Sequence, residues 1–137
     1  MKFILAIITV TVLFVNQSIT AQNQSITATV INATSDEGKV GFALYNKTNF
    51  RKTPIQAKEA KIENGISTVI FEDVEPGEYS VICYHDKNSN DKMDFEPNGM
   101  PKEDYGTSNN IMSFGPPQFI DSKFLLTDED VTLKIKF

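Results

Sequence analysis

The 137-residue chain reads as an all-β protein, a single antiparallel β-sandwich with one long loop. Three observations predict this. Six or seven short runs are rich in β-branched and aromatic residues. Clusters of Gly, Pro, Asn and Asp separate them. No segment carries a convincing helical period.

Ser25 to Ile31 is the first strand, dense in β-branched residues. Ser35-Asp36-Glu37-Gly38 is a turn cluster, and Val40 to Tyr45 follows as a partly buried strand. Asn46 to Pro54 is a polar loop. Gln56 to Lys61 has few apolar positions and reads as an edge strand or one irregular turn. Asn64-Gly65 is a hairpin signal that joins Ala60-Lys61-Ile62 to the strand from Ile66 to Phe71. Glu75-Pro76-Gly77 is a tight turn, with Pro setting one φ and Gly taking a positive one. It opens a central strand, Glu78 to Tyr84, apolar on both faces, with Tyr79, Val81 and Cys83 sharing one face. From Asp86 to Pro117 roughly 32 residues carry almost no strand pattern, the length of a functional or disordered connection. Gln118 to Leu126 reads as a strand, and so does Val131 to Phe137, where Val131, Leu133, Ile135 and Phe137 share a face. The Glu-Pro-Gly turn leading into Tyr79 resembles those of prealbumin-like and other immunoglobulin-like modules of secreted proteins.

Residues 1–21 have the layout of a secretory signal peptide. Met1-Lys2 is a short positive start, Phe3 to Val15 is almost wholly apolar, and Ala21 offers a small residue for cleavage before Gln22. The competing reading is an uncleaved anchor, but the apolar run is short for a membrane span. No Cys lies near the cleavage position to carry a lipid. Residues 22–137 then form one domain. The expected location is exported: periplasmic, outer-membrane-associated or extracellular. The expected assembly is a monomer with no membrane span after cleavage.

The formal net charge is −5, and loss of Lys2 makes the mature domain more acidic still. That sign disfavours a nucleic-acid partner, since phosphate contacts need a basic surface. It favours solubility and attraction of cations. Cys83 is the single cysteine, so no intrachain disulfide forms. Its apolar surroundings predict a small buried hydrophobe. A nucleophile reading would pair it with His85 on the same strand face, but spacing alone does not make that contact.

The most informative stretch is Asp86-Lys87-Asn88-Ser89-Asn90-Asp91-Lys92-Met93-Asp94. It places oxygen-bearing side chains at alternate positions. Calcium takes six to eight oxygen ligands, and such a loop can wrap one. The expected ligands are Asp86, Asn88, Asn90, the Lys92 carbonyl and Asp94. Asp91 stands where a calcium loop of this spacing has Gly, and Pro97 stands where it has a bidentate Glu. The last ligand must therefore come from elsewhere, with Glu96, Glu103 and Asp104 as candidates. With two neutral Asn among the ligands, Ca²⁺ is expected to bind weakly, at about 10⁻⁴ to 10⁻³ M. The competing reading is an Asx-rich turn whose side chains cap its own backbone.

His85-Asp86-x-Asn88-x-Asn90-x-x-x-Asp94, Gly99-Met100-Pro101-Lys102-Glu103 and Tyr105-Gly106-x-Ser108-Asn109-Asn110 together resemble the bacterial domain-of-unknown-function family numbered 2141. Phe71-x-Asp73-Val74-x-Pro76-Gly77-x-Tyr79 fits the same family. The resemblance covers essentially the whole mature chain. It implies an exported single β-domain and no established activity. Asp91 departs from the Gly often found in the family's loop.

The function expected is a non-enzymatic secreted or periplasmic module. Its metal-ordered loop would support binding of a protein, a peptide or a glycan, with Phe95, Tyr105, Phe114 and Phe119 as candidate contacts. The alternative is a hydrolase using Asp86, Asp94, Glu96, Glu103 and Asp104 as acid and base. A purely structural accessory domain is a third reading.

Overall fold

The computed structural model describes residues 22–137; the signal peptide assigned to residues 1–21 lies outside them. The chain forms β1 (Gln24–Val30), β2 (Lys39–Tyr45), β3 (Gln56–Lys61), β4 (Ser67–Val74), β5 (Gly77–Asp86), β6 (Tyr105–Thr107), a 3₁₀ turn (Ser108–Asn110), α1 (Phe119–Ser122), β7 (Phe124–Leu126) and β8 (Val131–Ile135). Two sheets pack face to face. One has the order β4-β1-β8 and the other β3-β2-β5-β6, with β7 pairing the start of β5.

The core lies between the sheets and follows the period of two expected of half-buried strands. Ile26, Ala28 and Val30 from β1, Val69 and Phe71 from β4, and Ile135 from β8 face Val40, Phe42 and Leu44 from β2 and Val81 and Cys83 from β5. A fully buried Phe, Leu or Ile contributes roughly 1.5–3 kcal/mol. Tyr79, Val81 and Cys83 do share the buried face. Gln56–Lys61 is an edge strand, and Lys58, Glu59 and Lys61 blunt that edge with charge.

The Asn64-Gly65 hairpin forms, with both residues at positive φ (52° and 76°). Asp36, 28 residues upstream of Asn64, clamps it: its carboxylate accepts from the backbone N–H of Asn64 at 2.9 Å and of Gly65 at 2.8 Å. Residues 22–137 contain no helix long and apolar enough to cross a membrane.

Four expectations are corrected. Gln118 to Leu126 is not one strand: Phe119–Ser122 makes a helical turn before β7. Ser122, buried, donates to the Gln118 carbonyl at 2.9 Å, and the Ser80 hydroxyl bonds it at 2.7 Å. The local turn bond and the tertiary bond to Ser80 together override the strand pattern. The long connection is interrupted by β6, so the loop proper ends at Asp104. The sandwich is not wholly antiparallel, because β8 pairs β1 in parallel, with Ala28 opposite Leu133. Alternation reveals which side chains point inward and is blind to strand direction. Finally, Gly77 is not among the positive-φ residues; Asp73 takes φ 58° three residues before Pro76. The register between β1 and β4 shifts there by one residue, a β-bulge that Asn23 holds through a 2.7 Å bond to the Asp73 carboxylate.

Candidate functional site

β5 carries His85 and Asp86 to the rim of the sandwich, both fully buried. The chain then turns sharply, with Ser89 at φ 55° and Asp91 at φ 65°. Gly38, opposite, makes this possible. A Cβ on it would lie 2.1 Å from the Asp86 carbonyl oxygen and 2.8 Å from the Lys87 Cα, and its own φ is +70°.

The alternating side chains come together. One Asp86 carboxylate oxygen accepts from the Asn90 N–H at 3.1 Å and the other from the Asp91 N–H at 2.9 Å. Asn88 Nδ2 donates to Asp94 Oδ2 at 2.8 Å, and Asn90 Nδ2 reaches both Asp94 oxygens, at 2.9 and 2.8 Å. The amides of Asn88 and Asn90 hold the Asp94 carboxyl below its ordinary range. Asn88 Oδ1 and Asn90 Oδ1 accept from the backbone of Asn90 and Lys92, each at 3.2 Å. Lys92 itself is exposed.

Of the three candidates for a closing carboxylate, Glu103 alone joins the cluster. It is 7% exposed, and its two oxygens accept from the Lys87 N–H at 3.2 Å and the Asp94 N–H at 3.1 Å, tying both ends of the loop. Asp104 turns toward Thr34 Oγ1 (3.2 Å) and Lys87 Nζ (3.7 Å). Glu96 is exposed and lies in a separate tight turn with Met100.

Asp91, the residue standing in the Gly position, is accommodated from outside the loop. Asp and Asn visit the left-handed region more readily than other side chains. Its carboxylate pairs with Lys39 of β2, which also bonds Glu59 of β3 at 2.6 Å. Asp91 and then Glu59 push the Lys39 ammonium well up, and Lys39 holds Asp91 down. Lys39, 52 residues away in sequence, carries no sequence signal for this role.

A hard cation would require this arrangement to change, because N–H groups occupy both oxygens of Asp94 and of Asp86. A half-turn of each amide would bring Asn88 Oδ1 and Asn90 Oδ1 to the Asp94 carboxylate. Oxygen would then face oxygen, an arrangement that a cation between them stabilises. The exchange would give up five hydrogen bonds, the two 3.2 Å bonds to the backbone and the three that the amides donate to Asp94, and the ion would have to replace them. Carboxylates are sparse here: among the described residues no three His, Cys, Asp or Glu side chains gather closely enough to hold a metal by themselves. Amide and backbone oxygens would have to supply the balance.

The remaining motif residues build the scaffold. Cys83 is buried against the Gly106 carbonyl, and burial drives its thiol far above the ordinary range. His85 Nε2 lies 2.7 Å from the Glu37 carbonyl, so that nitrogen carries the proton, and its ring stacks on Phe137. Ser108 accepts from the Val81 N–H at 3.0 Å and donates to the Ser122 carbonyl. Asn109 Nδ2 donates to the Lys123 carbonyl at 2.7 Å. Asn110 bonds the Lys134 carbonyl and the Lys136 N–H at 2.9 and 2.8 Å, as a neighbouring strand would. Of the aromatic candidates, Phe95 (56%) and Phe114 (111%) are exposed, whereas Phe119 packs edge-on against Phe50. Tyr105 is half-buried in β6.

A family model described as "Uncharacterized protein conserved in bacteria (DUF2141)" matches residues 28–134. No curated protein and no solved structure matches the chain.

Proposed function

The chain belongs to the family of uncharacterised bacterial proteins numbered DUF2141, and on that premise we propose that it is an exported, non-enzymatic binding module whose loop takes up calcium weakly. The observation that carries this reading is that Asn88 and Asn90 gather around the Asp94 carboxylate. Asp86, Asn88, Asn90, the Lys92 carbonyl and Asp94 hold the ion, and Glu103 fixes the ends of the loop around it. Calcium supplies the positive charge that lets these oxygens share one point; the chain supplies their placement. Magnesium fits less well, since it demands a tighter octahedron and dehydrates reluctantly.

Two features favour binding over chemistry. A general acid needs a raised pKa, and Asp94 is held down. Glu103 is buried and both its oxygens accept from backbone N–H groups. An ordered loop presents Phe95 and its surroundings to a protein, peptide or glycan on the far side of export. Calorimetric titration of chelator-treated protein should show one calcium site of about 10⁻⁴ to 10⁻³ M, absent in Asp94→Ala. Equal heats for calcium and magnesium, or none for either, would overturn the reading.

A further inference from the structure

The segment from Ile111 to Ile120 contains no charged residue and is largely exposed. Met112 is 99% exposed and Phe114 111%, with Ile111 and Ile120 more than half exposed. Large apolar side chains exposed together on a soluble surface mark a contact with a partner or a membrane.

Two lysines flank the base of this loop, although the protein is acidic overall. Asn110, the residue before Ile111, bonds the backbone of Lys134 and Lys136. Lys134 lies in β8 and Lys136 just beyond its end, both exposed. Lys136 shares the lining of a cavity of about 320 Å³ with Ile111, Met112, Phe137 and Asp121. Asp121 is the one carboxylate among those lining residues. Lys123 is also close, through its carbonyl on Asn109, but its ammonium is paired with Glu78 at 2.9 Å. No such ion pair engages Lys134 or Lys136 among the described residues.

We propose that this loop docks the protein on an anionic lipid surface, Met112 and Phe114 entering the headgroup boundary while Lys134 and Lys136 meet lipid phosphates. An apolar tip above a basic collar is the pattern of interfacial membrane binding. The docking does not involve the calcium loop, so chelator leaves it intact.

Sedimentation with vesicles tests it, using residues 22–137, which contain both sheets and the whole described core. In chelator and low salt, the protein should pellet with vesicles of phosphatidylglycerol and phosphatidylethanolamine in equal parts, and much less with phosphatidylcholine. Met112→Ser with Phe114→Ser should weaken binding at least about ten-fold. Lys134→Gln and Lys136→Gln should each weaken it about five-fold, an effect that fades as salt rises. The chain has no Trp, so Phe114→Trp gives a lone indole whose emission should shift to the blue on lipid entry. All four side chains are exposed, and unchanged circular dichroism confirms that the variants fold. Absent vesicle binding, or binding untouched by the Met112 and Phe114 substitutions, overturns the proposal. Phe114-dependent self-association without lipid overturns it too and assigns the loop to a protein interface.

Discussion

Gly38 is the residue on which the loop's close approach to the sandwich depends. Its φ is +70°, and a Cβ would meet the Asp86 carbonyl oxygen at 2.1 Å. Gly38→Ala should therefore destabilise the domain by at least about 2 kcal/mol, from strain at positive φ together with displacement of the loop. Urea unfolding checks this, read as a lower midpoint at constant slope. The sequence marks Gly38 as part of a turn cluster but does not mark its partner Asp86, which lies 48 residues further on. Lys39, 52 residues from Asp91, carries no local signal for the same reason. The spacing of Asp86, Asn88, Asn90 and Asp94 was legible because all four ride on one short segment. The choice of Glu103 over Glu96 and Asp104 was not, since it depends on where β6 brings the chain back.

At the scale of elements, strands with β-branched density or clean alternation were the easiest to read, and β1, β2, β4, β5 and β8 all form close to their expected bounds. The misread pieces are those held by side chains from elsewhere. α1 rests on Ser122 and its partners Ser80 and Ser108. β6 has only three residues, too few for any periodic signal. Asn110 plays a strand's part at the edge of β8 and sits at φ 55°. Asn110→Ala removes both edge bonds and places a poorer residue in the left-handed region. A loss of about 2 kcal/mol is expected, with faster hydrogen exchange at the Lys136 amide. Unchanged protection there would show that the amide clamp is dispensable.

Across the whole molecule, the sandwich provides stability and the loop from Lys87 to Asp104 carries the proposed calcium function. The loop has few apolar contacts of its own, so a bound ion adds order that packing does not supply. A ligand that binds only the folded state stabilises it by mass action. Calcium at about ten times its dissociation constant should add roughly 1.4 kcal/mol, which raises the melting temperature by about 5 °C for a domain of this size. The decisive measurement is the thermal melt of chelator-treated protein without calcium and with about 10 mM added, alongside Asp86→Ala. The account predicts a clear rise that Asp86→Ala abolishes while still melting cooperatively. A melting curve indifferent to calcium would contradict it and leave the loop as a self-capped Asx turn.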